Sequence, residues 1–407
     1  MSTSLMYHAF GMTDYDYRKS EYHAGKITFH VVAKGRAFRC PQCGNWKVSP
    51  KGTVERTFIT IPIGLKPVEI VVPVPRVFCN LCNIVRQVKL SFAAPKKRYT
   101  KKFERYVLGL SKHMTIKDVA EHTNVSWDVI KDIQKRKLSK TFGKPKLKNL
   151  EQIAIDEISI RKGHKYITLV LDLRSGAVVF VGDGKGEEAL DPFWKRLKSS
   201  KAKIKAVATD MSIAYIEAVR KNLPNTVLVF DHFHIVKLFN DKLTKLRRKL
   251  FKELDDPDER ELLKGTRWLL LKNPVNLDPS RNEHERLEQA LEINKPLATA
   301  YYMKEDLRQL WNQPNKEKAD EFLWDWVERA IVSGISMLEK FAKTLLNHRL
   351  GILAYYDYPI STGPLEGTNN KIKTMKRQAY GFRDHEFFKL KVKITPGKAG
   401  GLFLLAP

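Results

Sequence analysis

Cysteine is scarce in this chain, four in 407 residues. All four fall in two pairs, Cys40-Pro-Gln-Cys43 and Cys79-Asn-Leu-Cys82, with no stray thiol left over. In a reducing compartment that pattern favours a bound metal over a disulfide framework. Long apolar runs are also missing. None approaches the ~20 residues that a membrane-spanning helix needs. The first residues, Met-Ser-Thr-Ser-Leu-Met-Tyr-His, lack a basic stretch followed by an apolar one, so no secretory signal is read there. Acidic residues are in deficit: 45 Asp and Glu face 73 Lys and Arg, a formal charge of +28. Such an imbalance implies a polyanionic partner, nucleic acid ahead of an acidic membrane surface. The expectation is a cytoplasmic, nucleoid-associated protein of several domains.

What is present divides readily. Residues 1–95 are strand-rich, with β-branched and aromatic runs at Lys26–Val32 and Val68–Val74, each leading toward a Cys-x-x-Cys. Two such knuckles are the layout of a small zinc-ribbon-like domain. Cys40, Cys43, Cys79 and Cys82 would close a tetrahedral shell around one structural Zn2+, with no open position for chemistry. Residues 96–149 are basic and helical. Thr115 with Asp118 reads as an N-cap, Asn124 as a turn and Ser126 as the cap of a second helix, which together describe a helix-turn-helix. Its second helix is expected to expose Trp127, Lys131, Lys135 and Arg136 to DNA, and Leu138–Asn149 reads as a basic linker. A plain three-helix bundle with solvated lysines is the bland alternative.

Residues 150–254 alternate strand and helix. Strands are read at Gln152–Asp156, Tyr166–Asp172, Ala177–Val181, Ile204–Asp210 and Thr226–Asp231, the first three as an antiparallel meander and the later ones after helical crossovers. The fold class is an α/β mixed sheet with helices on its faces. Residues 255–360 read as an all-α insertion with Trp268, Trp311, Trp324 and Trp326 at its core. Residues 361–390 return to the α/β domain with a helix carrying Glu366, and 391–407 form a tail.

Asp156 and Asp210 each stand where a strand is read to end. On neighbouring parallel strands they meet at one rim of the sheet, where two like charges need a cation between them. Glu366 offers a third oxygen ligand for Mg2+, and Asn370 and Lys373 follow it at i+4 and i+7 on one helical face. Two such ions can activate an attacking oxygen and stabilise a leaving one in phosphoryl transfer. Strand-end aspartates also simply start turns, and an acidic first turn also complements a helix dipole. Asp172 and Asp231 are rival carboxylates ranked below the trio.

The motifs Ile153-Ala-Ile-Asp-Glu-Ile-Ser, Val207-Ala-Thr-Asp-Met-Ser, Asp231-His-Phe-His-Ile-Val-Lys and Gly363-Pro-Leu-Glu-Gly-Thr-Asn-Asn-Lys-Ile-Lys, with the paired cysteines and the helix-turn-helix, resemble the insertion-sequence DDE transposases of the ISL-three group over about residues 35–390. The resemblance implies an RNase H-like catalytic core in which Asp156, Asp210 and Glu366 bind two Mg2+ or Mn2+ ions. It implies cleavage at the ends of a mobile element and joining of the freed 3′-hydroxyl to target DNA. The zinc ribbon and helix-turn-helix would bind terminal inverted repeats, and a homodimer or higher oligomer would act on DNA. Lys371, Lys373, Lys376 and Arg377 would grip phosphates, while His232 and His234 would contact DNA or orient a ligand. The pattern weakens after Phe388, where Pro396 and three glycines forbid a regular helix; this fits a divergent tail or a frameshift product. The competing class is a non-catalytic DNA-binding regulator or an inactive remnant of a mobile element.

Overall fold

The computed structural model describes residues 4–34, 38–161, 165–360 and 363–394. Ser361, Thr362 and the tail from residue 395 lie outside the described residues. Among the described residues no helix is long and apolar enough to cross a membrane. The described residues divide into two compact units, one holding residues 4–144 with Met375–Leu390, the other Pro145–Thr374 with residues 391–394.

The first unit opens with helix α1 (Leu5–Phe10) and a five-stranded sheet: β1 (Tyr15–His23), β2 (Lys26–Ala33), β3 (Val48–Ile63), β4 (Lys66–Cys79) and β5 (Ile84–Gln87). The order is β1-β2-β4-β3, with β5 paired to β4. The sheet is larger than the ribbon the cysteines suggest. Val68, Ile70, Val72 and Val74 alternate inward along β4, and with Met6, Phe10, Phe29, Phe58 and Phe92 they form a core independent of any metal. Pro73 and Pro75 interrupt β4 between its pairing with β2, which ends at Val71, and with β5, which begins at Arg76. There β4 has one neighbour instead of two, the setting in which a strand tolerates proline.

Three helices follow, α2 (Lys101–Leu110), α3 (Ile116–Thr123) and α4 (Trp127–Phe142). The Thr115 hydroxyl accepts from the Asp118 N–H at 3.1 Å and the Asp118 carboxylate accepts from the Thr115 N–H at 3.2 Å, a reciprocal capping box. Asn124 ends α3 with φ 52°, and the Ser126 hydroxyl caps α4. Val107, Val119, Ile130 and Ile133 join the three helices in one core. α4 runs to Phe142, so the first residues of the expected linker are helical, with Leu138 buried.

The second unit contains a sheet of order β10-β9-β6-β7-β8, built from β6 (Gln152–Arg161), β7 (Lys165–Asp172), β8 (Val178–Asp183), β9 (Ala206–Thr209) and β10 (Val227–Phe230). β6, β7 and β8 are the antiparallel meander; β9 and β10 join in parallel. The crossovers are α5 (Asp191–Ser200) and α6 (Ile213–Asn222), and α7 (His232–Glu253) leaves β10. One correction matters for the site. β6 does not end at Asp156, because β7 keeps pairing with it as far as Arg161, so Asp156 stands in mid-strand opposite Leu169.

The segment between α7 and the Glu366 helix is helical throughout its regular structure: α8 (Pro257–Lys264), α9 (Arg267–Leu271), α10 (Glu283–Ile293), α11 (Lys295–Arg308), α12 (Lys316–Val332), α13 (Ser336–Asn347) and α14 (Arg349–Leu353). Helices α15 (Gly363–Gln378) and α16 (His385–Val392) close the described chain. Trp326 is fully buried, and its indole N–H donates to the Met303 carbonyl at 2.9 Å. The expectation of a tryptophan core fails for Trp268 and Trp324, which are 64% and 49% exposed. They carry the guanidinium groups of Arg267 and Arg349 over their rings instead.

α14 crosses the end of β10 at Gly351, where a Cβ would lie 2.4 Å from the Phe230 ring. Phe230 is buried next to Asp231 and cannot withdraw into solvent. Gly351→Ala is therefore expected to cost about 1–3 kcal/mol by overpacking, read as a lowered urea midpoint. An unchanged midpoint would show that α14 and β10 separate freely.

Candidate active site and zinc centre

The soft-ligand cluster lies in the first unit. Cys40 and Cys43 sit in the turn before β3, Cys79 ends β4 and Cys82 lies in the turn to β5. Antiparallel pairing of Val48 with Cys79 brings the two knuckles together. All four Sγ atoms lie within 4.8 Å of one another, and those of Cys43 and Cys79 are 3.7 Å apart. A tetrahedron with Zn–S bonds of ~2.3 Å has edges of about 3.8 Å. Backbone N–H groups are aimed into the cluster: the Cys43 N–H foremost draws the Cys40 thiol down to about 6, while hydrogen bonding with Cys43 pushes Cys82 up to about 12. Spacing, donor chemistry and amide orientation fit a structural zinc.

The hard-ligand residues lie in the second unit. β6 pairs with β9 in parallel register, Ile153 with Val207 and Ala154 with Ala208. Carried two residues further, that register sets Asp156 level with Asp210, which directly follows β9. Ile153, Ile155 and Val207 pack into the core under α5 and α6. Strand alternation therefore directs Asp156 to the opposite face, with Ala154. Asp156 is 6% exposed. Burial pushes its carboxyl above the ordinary range and the Asp210 charge adds to the push; hydrogen bonds from Asn369 and the Glu157 N–H, with His234 nearby, pull against it. Glu157 is raised too, by burial first and then by Asp210. The hydroxyl of the buried Tyr215, beside Glu157, is 3.1 Å from that of Thr168.

Glu366 stands exposed in the first turn of α15. Asn369, three residues on, reaches Asp156: its Nδ2 donates to Asp156 Oδ2 at 2.6 Å, while Asp156 Oδ1 accepts from the Glu157 N–H at 2.8 Å. The residue of this helix that meets Asp156 is thus Asn369. The sequence reading chose Asn370, which is exposed. The i+3 spacing of Asn369 was the available signal, equal in weight to the i+4 spacing of Asn370. Asp156, Asp210 and Glu366 do not gather their oxygens within 4.8 Å of one another; among the described residues the cysteines are the cluster of three or more that does.

The rival carboxylates have structural work. Asp172 accepts from Arg174 and Ser175 in the turn after β7. Asp231 caps α7 by accepting from the Phe233 N–H at 2.9 Å. His234 Nε2 lies 3.6 Å from the Asp231 carboxylate, and the His232 ring packs against Trp311 and Tyr355. On α4, Trp127 is half exposed with Lys131 over its ring, and Lys131 pairs with Asp128 at 3.0 Å. Lys135 binds both oxygens of Asp384. Arg136 turns back to the Tyr99 hydroxyl at 2.8 Å and to Glu104 at 3.2 Å. The expected free basic face of α4 is therefore largely engaged within its own unit. On α15, Lys371, Lys373 and Arg377 are exposed and Lys376 is half-buried.

Comparison with known proteins gives the family context of these domains. Three family models match in chain order: a zinc finger of the transposases of IS204, IS1001, IS1096 and IS1165 at residues 36–82, a helix-turn-helix domain of transposase family ISL3 at 88–136, and an ISL3 transposase domain at 153–392. The transposase for insertion sequence element IS1001 of Bordetella parapertussis is 33% identical over 92% of this chain and 92% of its own length. The transposase for IS1557 of Mycobacterium tuberculosis is 27% identical over 85% of this chain and 82% of its own. Among solved structures, the Drosophila P element transposase strand transfer complex aligns at a TM-score of 0.33 and 9% identity, covering 71% of this chain and 90% of that one, too slight a likeness to build on.

Because the sheet of the first unit has its own core, zinc removal should not unfold it. Chelation is expected to release one zinc per chain and to speed amide exchange at residues 38–48 and 76–87, leaving the middle of β4 protected. A purified chain without zinc, or one whose exchange is unchanged by chelator, would rule out the structural metal.

Proposed function

The chain belongs to the ISL3 family of transposases, and on that premise we propose that it cuts DNA at the ends of its element and joins the freed 3′-hydroxyl to target DNA. The observation that carries this reading is the register of β6 and β9, which sets Asp156 level with Asp210 on the sheet face to which Asn369 of α15 reaches. Asp156, Asp210 and Glu366 would hold two Mg2+ or Mn2+ ions. The donor set is all oxygen, as those ions require. A buried acceptor, Asn369 Oδ1, has no hydrogen-bond partner beside it. When bound, the ions supply Lewis acidity and a lowered pKa for attacking water.

This chain's own residues account for the rest. Asp156 is nearly fully buried and hydrogen-bonded at both oxygens, which pre-orients it for a cation. In the first step a water oxygen attacks the phosphodiester phosphorus, the bond to the 3′ oxygen breaks, and that oxygen leaves with a proton as the hydroxyl. In the second step the hydroxyl oxygen attacks a target phosphodiester and displaces another 3′ oxygen. No redox partner is needed. Lys371, Lys373, Lys376 and Arg377 extend from Glu366 along α15 as phosphate contacts. Trp127 and Lys131, at the start of α4, are the residues of that helix best placed to meet DNA. Lys135 and Arg136 support the helix. The domain reading also stands as proposed: 1–95, 96–149, a core of 150–254 and 361–390, an insertion of 255–360, and a tail of 391–407. The assembly on DNA would be a homodimer or larger.

The test uses full-length protein, Mg2+ and DNA carrying the element ends. Asp156→Ala is expected to lower cleavage and strand transfer at least ~1,000-fold, the scale expected when a metal-dependent phosphoryl transfer loses its ion. Gel-shift affinity for the ends should stay within about twofold. Equal cleavage by wild type and Asp156→Ala would sink the proposal; binding without any cleavage would support the regulator reading.

A further inference from the structure

Asn369 has a role that the carboxylate trio does not explain. Asp156 is a nearly fully buried carboxylate. A buried charge must be paired or hydrogen-bonded, or else take up a proton. At Oδ2 that partner is the Asn369 amide, 2.6 Å away and 213 residues distant in sequence. The same side chain carries a second polar atom, Oδ1, which is buried and has no hydrogen-bond partner. Unsatisfied buried acceptors are costly and need a reason. An amide is unusual in offering a donor and an acceptor from one planar group. It can donate a hydrogen bond to a carboxylate through N–H when no cation is there, and present an oxygen to a cation when one is.

We propose that Asn369 is a positioning residue that stands in for the cation at Asp156 in the metal-free protein and yields Asp156 to the cation on loading, its carbonyl oxygen then serving as a further oxygen donor. The inference rests on the reading of Asp156 as a metal ligand. It explains why the helix bearing Glu366 approaches Asp156 through its neighbour Asn369 and not through Glu366 itself. A carboxylate at position 369 would repel Asp156 in the metal-free state; an apolar residue would leave Asp156 buried without a partner at Oδ2. Asn370, one position further round the helix and exposed, cannot substitute for it.

The experiment measures Mn2+ binding to the full chain by electron paramagnetic resonance, alongside thermal melting without metal. Asn369→Leu is expected to weaken Mn2+ binding ~10–100-fold, the range for loss of a group that supports a metal ligand, and to lower the metal-free melting temperature. Should that variant fail to fold, Asn369→Ala reads the same loss. Asn369→Asp is expected to lower the metal-free melting temperature while binding Mn2+ several-fold more tightly. That opposition is one a purely structural role would not produce. Mn2+ affinities within twofold of wild type in the Leu (or Ala) and Asp variants overturn the proposal, provided Asp156→Asn abolishes binding. If Asp156→Asn binds Mn2+ normally, it is the reading of Asp156 as a ligand that fails.

Discussion

The site depends on one short ladder. β6 and β9 are paired in parallel over Gln152–Ala154 and Ala206–Ala208, and that register, carried two residues further, sets Asp156 level with Asp210. A slip of one residue would turn either carboxylate into the hydrophobic core under α5 and α6. The register is protected by what lies on that core face, Ile153, Ile155 and Val207, all essentially inaccessible to solvent. Like charges about 4 Å apart repel by roughly 4 kcal/mol at an effective dielectric near 20. An arrangement that sets two carboxylates level works against stability, and the apolar face of the same strands holds it in place.

How far the chain could be read without coordinates follows the range of each signal. The helix-turn-helix was legible to the residue because caps are local: Thr115, Asp118, Asn124 and Ser126 act within three positions of themselves. The cysteine cluster was legible because two short motifs with four equivalent ligands leave little choice of chemistry. The order of strands and crossovers around Asp156 and Asp210 was legible from alternating apolar runs. What escaped depends on pairing at long range. β3 is paired along its length with β4, yet Pro50, Gly52 and Pro62 punctuate its sequence and hide its extent. The extension of β6 past Asp156 is imposed by β7. The choice of Asn369 over Asn370 is made by a strand some two hundred residues away. Trp268 and Trp324 look like core by residue type, but cationic neighbours hold them at the surface.

The two cation sites follow opposite design rules. The cysteine site is closed: four soft ligands come from two turns, brought together by a ladder that needs no metal to form its core. The carboxylate site is open. Its proposed ligands come from a strand, the end of a second strand and a helix, and among the described residues their oxygens do not gather within 4.8 Å of one another. A closed site contributes local rigidity, whereas an open one leaves room for substrate. Asp156 keeps its geometry through its own hydrogen bonds, while Glu366 stands exposed.

Net charge and site charge have opposite signs here, and the contrast constrains the order of events. A formal charge of +28 attracts polyanions over a Debye length and makes binding steeply salt-dependent. Much of the nearby basic surface is nonetheless committed, Lys135 to Asp384 and Arg136 to Glu104 and Asp132. These partly buried pairs tie α4 to its own unit. Around Asp156, Glu157 and Asp210 three carboxyls crowd one place; burial foremost pushes the first two up, and the Asp210 charge adds to the push. A phosphodiester brought in by the basic surface meets repulsion at the very point where chemistry is proposed. Divalent cations remove that repulsion. Global charge can therefore recruit DNA at any time, but DNA can settle against the carboxylates only when the cations are in place. On the proposed reading, metal loading and engagement of the scissile phosphate are one coupled equilibrium, and the amide of Asn369 occupies Asp156 until that equilibrium shifts.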